Sequence, residues 1–265
     1  AVDGYTNTYG NIWQWDIRST TSEVESVYAA LYGVIANCNF FLERIDGVVE
    51  AQTDDERIDV LESYRGEVHA IRALCYSELI KLFCKAYDPA TAKEELGVVV
   101  RTLYSTPEPT RRASLYDSYQ LVLSDLAKAE ELLPIENDFY SQHYLTLGAV
   151  YALRARVALY MQDWDAAIKY LNSYKGKDVI LAARAAACIG DAYIGLEDYS
   201  KALAQFEKAA NMADNLFAAQ YLVKAGVTAE KLGQDAKALE FYKKVKDQYP
   251  SSMEGYDVDK YIGRI

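Results

Sequence analysis

The sequence predicts an all-α protein in which helical hairpins stack into a right-handed array. Three observations carry this prediction. Apolar residues recur at steps of three and four along most of the chain, capping residues and prolines mark where helices begin and end, and one pattern of small and aromatic residues returns at a nearly constant spacing. Only five prolines and fourteen glycines interrupt the 265 residues, so we expect about ten to eleven helices.

The repeated pattern is clearest between residues 181 and 250. Three residues recur 36 positions later, giving the pairs Gly190 and Gly226, Ala202 and Ala238, and Phe206 and Tyr242. Thirty-five positions earlier, Ala155, Trp164, Ala167 and Leu171 stand where Gly190, Tyr199, Ala202 and Phe206 stand. Small residues let two helices approach, and bulky residues fill the space between them. This period resembles the tetratricopeptide repeat, so the predicted fold is a superhelical array of tetratricopeptide-like hairpins with one long irregular insertion.

The first 84 residues predict an irregular segment followed by one hairpin. Residues 1–20 hold two of the three tryptophans without a helical period. The capping box from Thr20 to Glu23 then predicts a helix over 21–46, and a second box, from Thr53 to Glu56, predicts its antiparallel partner to about residue 84.

The helical pattern stops between residues 85 and 112, which hold three of the five prolines. The single apolar run there, from Leu96 to Val100, is broken by Gly97, so we predict an irregular insertion, and insertions of this length are usually functional. Ser114 predicts the cap of a helix that Pro134 ends, and a helix over 144–161 leads into the repeats.

A final helix is predicted by the capping box from Ser251 to Glu254. We expect its apolar residues to cover the last hairpin, as a repeat array requires. These residues are Met253, Tyr256, Val258, Tyr261, Ile262 and Ile265.

Composition and missing motifs argue against several functions. The net charge of −11 opposes binding to nucleic acid, and the apolar runs are too short for a transmembrane segment. The two histidines, His69 and His143, form no metal-ligand cluster, and Asp54–Glu56 is better interpreted as negative charge at a helix N-terminus. No nucleotide-binding motif or activated nucleophile is present. We therefore predict no catalytic residue, metal or cofactor, and four free cysteines.

The stretch from Tyr64 to Phe83 resembles the signature helix of the SusD/RagB family, Glu-Ala-x-Phe-Leu-Arg-Ala-x-x-Tyr-x-x-Leu-x-x-x-Phe/Tyr. The matching residues are Glu67, Arg72, Ala73, Tyr76, Leu79 and Phe83. Further matches, in the family's order, are Asn37 and Asn39 and the segments 86–100, 113–134 and 154–170. Together these motifs cover about residues 1–171.

The resemblance implies a non-enzymatic nutrient-uptake lipoprotein of the Bacteroidetes outer membrane. Such a protein captures a glycan or peptide ligand and passes it to a TonB-dependent transporter. The chain opens at Ala1 without a lipid-bearing cysteine, which we interpret as a trimmed product, soluble as given, of a lipid-anchored precursor. Among the matched residues, Glu67 and Arg72 are expected to be structural, because a buried arginine between helices commonly binds carbonyls or a carboxylate.

The two resemblances divide the chain into a SusD-like region, 1–173, and regular repeats with a capping helix, 174–265. The SusD/RagB family continues after its fourth hairpin with a loop-rich half that this chain lacks. A fusion near residues 155–178, natural or engineered, is the hypothesis that follows.

The irregular segments carry the candidate ligand-binding residues. Trp13, Trp15, Asp16 and Arg18 combine aromatic faces with polar groups, as a sugar site does; the alternative is that the tryptophans pack against the first hairpin. Tyr87 and Tyr104 are candidates in the insertion. Two functions remain open: a SusD-like glycan-binding module, and a protein-interaction scaffold whose repeat groove binds a peptide, the latter including a fused chain without intact glycan binding.

Overall fold

The computed structural model describes residues 10, 16–18, 21–105, 111–134, 145–175, 178–212 and 217–265. Within these ranges the chain forms eleven helices and one two-stranded sheet, which confirms the all-α class. The chain divides into two compact units, residues 1–147 and 148–265. The sequence-based division at 173/174 rests on family resemblance rather than on compactness, and it stays a prediction.

The first unit is built around one long helix. Its helices are α1 (Ser22–Leu42), α2 (Ile45–Glu50), α3 (Asp55–Phe83) and α4 (Leu115–Leu132). Because α3 packs against both α1 and α4, it buries residues on more than one face, among them Ala73, Tyr76 and Leu79. The helix that resembles the SusD/RagB signature is therefore the central helix of this unit.

The helix boundaries correct three details of the sequence analysis. The N-cap of α1 is Thr21, which makes no side-chain capping bond, while Thr20 lies outside the described residues. The N-cap of α3 is Asp54, whose carboxylate accepts the N–H groups of Glu56 and Arg57. The single helix predicted over 21–46 is two helices, because the chain turns after Leu42 and buries Ile45. Tertiary packing causes this break, and no glycine or proline stands at the turn to predict it.

The insertion contains a short antiparallel sheet that the sequence analysis missed. Strand β1 (Leu96–Val99) pairs with β2 (Arg112–Ser114), with Leu96 opposite Ser114 and Val99 opposite Arg112. A Cβ atom at Gly97 would overlap the Ser118 side chain and the Ser114 carbonyl group. Gly97 therefore allows the close approach of β1 to α4, although in the sequence it looks like a strand breaker.

Ser114 caps α4 as predicted. Its hydroxyl oxygen accepts the Asp117 N–H at 2.9 Å, and the helix ends at Leu132, before Pro134. The Ser118 hydroxyl in turn accepts the Val98 N–H at 3.0 Å, so the first turn of α4 also holds β1 in place.

The second unit is a run of helices that pack on their neighbours in the chain. They are α5 (Leu147–Tyr160), which begins at the boundary of the units, α6 (Trp164–Asn172), α7 (Val179–Gly195), α8 (Tyr199–Met212), α9 (Ala218–Lys231), α10 (Asp235–Gln248) and α11 (Met253–Ile262). From α6 onward each helix contacts the next. A common core of buried residues extends from α7 to α11.

One packing contact recurs in this unit. The Phe206 ring covers Gly190 so closely that a Cβ atom there would lie 2.6 Å from the ring, and the Tyr242 ring covers Gly226 in the same way. Ala202 and Ala238 are both completely buried. The recurring small and aromatic residues of the sequence are thus the two sides of a repeated helix–helix contact.

The C-terminal helix covers the last hairpin with only part of its predicted apolar face. Val258 is buried, and Tyr261 stacks on Tyr242 with ring centroids 5.2 Å apart. Met253 and Tyr256 are 85% and 79% exposed, so the prediction is wrong for them. Successive side chains of an α-helix are rotated by about 100° around its axis, so Met253 and Tyr256 lie on the side of α11 opposite to Val258. Ile265, beyond the end of the helix, is also exposed.

Candidate ligand-binding site

A cleft in the first unit lies between α1 and the segment that follows β1. Its volume is about 260 Å³. The residues that line it are Tyr32, Ile35, Ala36, Asn39, Arg101, Leu103 and Tyr104. The α1 residues follow helical steps of three and four, which places them on one face of the helix. We call this concavity the α1 cleft.

Hydrogen bonds hold residues 101–105 beside α1. The Arg101 carbonyl oxygen accepts bonds from Asn39 Nδ2 at 3.0 Å and from the Tyr76 hydroxyl at 2.7 Å. The Glu43 carboxylate accepts the N–H groups of Tyr104 and Ser105 and the Ser105 hydroxyl. These bonds, the Ser105 hydroxyl foremost, lower the pKa of Glu43. The segment is therefore fixed by side chains of α1 and α3.

An exposed aromatic platform borders the α1 cleft. The rings of Phe40 and Tyr104 meet edge to face with centroids 5.1 Å apart, and they are 45% and 50% exposed. The Arg44 guanidinium lies over the Phe40 ring, 3.7 Å from its centroid. We call these three residues the Phe40–Tyr104 platform. The two rings are nearly perpendicular, at 86°, so each offers its own aromatic surface beside the cation, and such an arrangement suits the C–H face and hydroxyl groups of a sugar.

A buried polar network supports α1 from behind the cleft. Arg72 donates two hydrogen bonds to Asp125, from Nε to Oδ2 at 2.8 Å and from Nη2 to Oδ1 at 2.7 Å. Arg72 Nη1 also donates to Asn39 Oδ1 at 2.7 Å, and His69 Nδ1 lies 2.8 Å from Asp125 Oδ1. All four side chains are buried. Helices α1, α3 and α4 are thereby joined by one chain of hydrogen bonds.

The electrostatics of the network favour an ionised Asp125. Burial by itself raises the pKa of this carboxyl group, but hydrogen bonds from Arg72 and His69 outweigh burial and hold the pKa below its ordinary value. Glu67 on α3 differs, because burial raises its pKa although its carboxylate accepts the Leu145 N–H. Both residues that were expected to be structural, Glu67 and Arg72, bind groups within the first unit, and neither lines the α1 cleft.

The sequence-predicted ligand-binding residues have different environments where the structure describes them. Trp13 and Trp15 lie outside the described residues. Asp16 and Arg18 are exposed and form an ion pair with each other at 2.9 Å. Tyr87 is 8% exposed and packs edge to face on Tyr119, so it does not present its ring on the surface. Of the four candidates that the structure describes, only Tyr104 lines the α1 cleft.

Sequence reasoning missed Phe40, Glu43 and Arg44. The apolar stripe of α1 passes through Phe41 and leaves Phe40 on the outer face of the helix. An aromatic residue off the stripe, followed after one turn by Arg44, was the available signal. This signal could not identify Tyr104 as part of the site, because more than sixty residues of sequence separate Glu43 from Tyr104.

Within the described ranges, no three His, Cys, Asp or Glu side chains converge as a metal site would require. None of the helices described in the structure combines the length and the apolar character of a membrane span.

Two family models match the chain. The SusD-like model, described as "Starch-binding associating with outer membrane", matches residues 3–159, and a tetratricopeptide repeat model matches residues 220–252. The first match contains the α1 cleft and the Phe40–Tyr104 platform. The second falls on α9 and α10, which contribute the Gly226–Tyr242 contact.

Relatives and solved structures agree with these matches. The SusD-like protein P25 of Formosa agariphila is 28% identical over 155 residues, which cover 58% of this chain and 26% of that protein. The chain thus spans about a quarter of this relative's length. A putative sugar-binding protein from Bacteroides vulgatus is 17% identical and has a TM-score of 0.55, covering 98% of this chain and 74% of its own.

A SusD superfamily protein from Bacteroides fragilis is 20% identical with a TM-score of 0.54, covering 95% of this chain and 71% of its own. At these identities the two structures establish the fold. The chain belongs to the SusD-like family.

Proposed function

We propose that this protein captures glycans for nutrient uptake at the outer membrane, without catalysis, and delivers them to a TonB-dependent transporter. The observation that carries the proposal is the exposed Phe40–Tyr104 platform beside the α1 cleft, in a chain of the SusD-like family. The starch-binding description of the matched family and the sugar-binding description of the Bacteroides vulgatus protein support a carbohydrate as the ligand. Attachment by a lipid in the precursor is part of the same proposal.

The platform would contribute stacking, and its surroundings would contribute hydrogen bonds. A pyranose ring placed over Tyr104 or Phe40 buries its C–H face against the aromatic ring. Its hydroxyl groups then come within reach of the guanidinium groups of Arg44 and Arg101, which only donate hydrogen bonds. The hydrogen bonds that the Glu43 carboxylate accepts from the N–H groups of residues 104 and 105 hold this backbone segment in place before binding, which lowers the entropic cost of recognition. Trp13, Trp15, Asp16 and Arg18 remain proposed contributors from the N-terminal segment.

Binding to soluble starch and laminarin, measured by affinity gel electrophoresis and calorimetry, tests the proposal. We expect Tyr104→Ala and Phe40→Ala each to weaken binding by at least about tenfold, as the loss of a central aromatic contact does. Trp13→Ala and Trp15→Ala test the N-terminal segment in the same assay. Tyr256→Ala is the matched control, because Tyr256 is 79% exposed and lies in the second unit.

A second function, peptide binding by the regular repeats, is favoured by the tetratricopeptide match over residues 220–252. In such repeats the groove recognises an extended peptide or a helix. If the wild-type protein is retarded by no glycan and captures a defined protein partner, this second function replaces the first. Reduced capture by a variant of Lys224, which pairs with Asp191 at 2.6 Å, would assign the binding to the repeats.

A further inference from the structure

The described lining of the α1 cleft carries a positive charge and no negative one. Arg101 is the one charged residue among the described residues that line it, although the whole chain has a net charge of −11. The Glu43 carboxylate, which holds residues 104 and 105, also lies 3.7 Å from the Arg44 guanidinium, so its charge is balanced outside the cleft. The cleft is therefore opposite in sign to the protein as a whole.

The guanidinium group of Arg101 has no partner within the described part of the chain. The Tyr76 hydroxyl donates to the Arg101 carbonyl oxygen at 2.7 Å and accepts the Arg101 N–H at 2.8 Å, so the backbone of this residue is fixed. The residue is half-buried, yet no described residue accepts a hydrogen bond from its side chain or pairs with it. Arg65 and Arg72 differ, because each binds a carboxylate. A fixed, partly covered arginine without an anion indicates a ligand that supplies one.

Two other polar residues of the cleft wall, Tyr32 and Asn39, are already engaged. The Tyr32 hydroxyl donates to the Val99 carbonyl oxygen at 2.7 Å. The Asn39 amide accepts a bond from Arg72 and donates one to the Arg101 carbonyl oxygen. The guanidinium is thus the charged hydrogen-bonding group left for a ligand, and it only donates. A carboxylate or sulfate only accepts and can take two parallel N–H bonds from it, whereas a single sugar hydroxyl cannot.

We infer that the α1 cleft selects acidic glycans, whose carboxylate or sulfate group binds the Arg101 guanidinium. This specificity rests on the proposed glycan-binding function and names its ligand class. Tyr104 belongs both to the cleft wall and to the platform, so a sugar ring stacked on Tyr104 has the cleft beside it. The cleft volume of about 260 Å³ lies just below the roughly 300–1,000 Å³ of pockets for drug-sized ligands. It therefore receives one acidic sugar unit rather than a whole oligosaccharide.

Isothermal titration calorimetry with paired ligands tests this specificity. The carboxylate pair is tetragalacturonic acid and its fully methyl-esterified form, and the sulfate pair is a κ-carrageenan tetrasaccharide and its desulfated form. The two members of a pair share their sugars and differ in charge. We expect the wild type to prefer the acidic member of at least one pair by about tenfold, as a charge-assisted hydrogen bond predicts. The pair that shows the preference identifies carboxylate or sulfate as the group that binds.

Arg101→Met should abolish this preference, so that both members of a pair bind with similar affinity. Backbone atoms hold residue 101, so the substitution leaves those bonds in place, and circular dichroism confirms that each variant is folded. Arg101→Lys should keep part of the preference, because an ammonium group retains the charge and loses the planar fork. Arg57→Met is the matched control, since it removes an exposed arginine that does not line the cleft, and it should keep the wild-type ratio of affinities.

Equal affinity of the wild type for the two members of both pairs would overturn the proposed specificity. A preference for the acidic member that persists in Arg101→Met would do the same. If either result occurs while starch or laminarin still binds through Tyr104, acidic selectivity alone is refuted and the proposed glycan capture stands. If the wild type binds no glycan, neutral or acidic, both are refuted.

Discussion

Arg72 and Asp125 are joined by two hydrogen bonds of 2.8 and 2.7 Å although 53 residues of sequence separate them. Both side chains are buried, one on α3 and one on α4. The same guanidinium reaches Asn39 on α1, and the Asn39 amide holds the Arg101 carbonyl oxygen at the α1 cleft. The ion pair therefore connects the core of the first unit to the candidate ligand-binding site.

Removing one member of this pair should strongly destabilise the protein. We expect Arg72→Met to lower the free energy of unfolding by about 3–5 kcal/mol, because it leaves a carboxylate buried without its cation. Urea denaturation followed by circular dichroism measures the change. The double variant Arg72→Met/Asp125→Leu should lose much less than the sum of the two single variants.

The control for this experiment is Arg57→Met, which removes an exposed arginine 3.6 Å from Asp54. Such surface pairs contribute at most about 1 kcal/mol. A loss in Arg72→Met no larger than that of Arg57→Met would contradict the assigned role of the buried pair.

Acid should weaken the first unit through Asp125. The pKa of this carboxyl group is lowered in the folded protein, so its contribution is fully present above the unfolded value of about 3.9 and is lost as the pH falls toward the folded value. We expect the unfolding free energy of the wild type to decrease below about pH 4. In Asp125→Asn, whose side chain does not titrate, this part of the decrease should be absent, and an unchanged pH profile would refute the assignment.

A methyl group should have opposite effects at two helical glycines. A Cβ atom at Gly190 would lie 2.6 Å from the Phe206 ring, whereas one at Gly33 would have no neighbour within 4 Å. Gly190→Ala should therefore lower stability by about 1–3 kcal/mol through overpacking. Gly33→Ala, within α1, should raise stability by about 0.5–1 kcal/mol. Thermal unfolding distinguishes the two, and a loss in Gly33→Ala similar to that in Gly190→Ala would contradict the packing argument.

The four cysteines should react slowly with iodoacetamide at about pH 7.5. All are free thiols, two of them buried and two half-buried. Burial raises the pKa of Cys38 to about 11 and also raises the pKa of Cys75, Cys84 and Cys188, so little reactive thiolate is present. Mass spectrometry after timed labelling should show Cys84 and Cys188 modified before Cys38 and Cys75. Labelling of Cys38 at its rate in guanidinium-unfolded protein would contradict this order.

The sequence by itself was sufficient for much of the fold. Helical periodicity predicted the long helices, Ser114 marked the start of α4 correctly, and the paired recurrence of Gly190 and Gly226 with Phe206 and Tyr242 indicated the repeats. Periodicity and capping depend on residues within about four positions of each other. Such local signals can be recognised in the sequence without the structure, and the family resemblance rests on the same kind of local motif.

Tertiary structure decided the remainder, because it depends on contacts between residues far apart in the sequence. No local signal paired Arg72 with Asp125, joined β1 to β2, or brought Tyr104 against Phe40. Packing also gives two tyrosines of the insertion different environments, although the sequence does not distinguish them. Tyr87 is buried against Tyr119, whereas Tyr104 is half exposed on the platform. Which of the two can meet a ligand is set by the helices around them, since burial is a property of the folded chain.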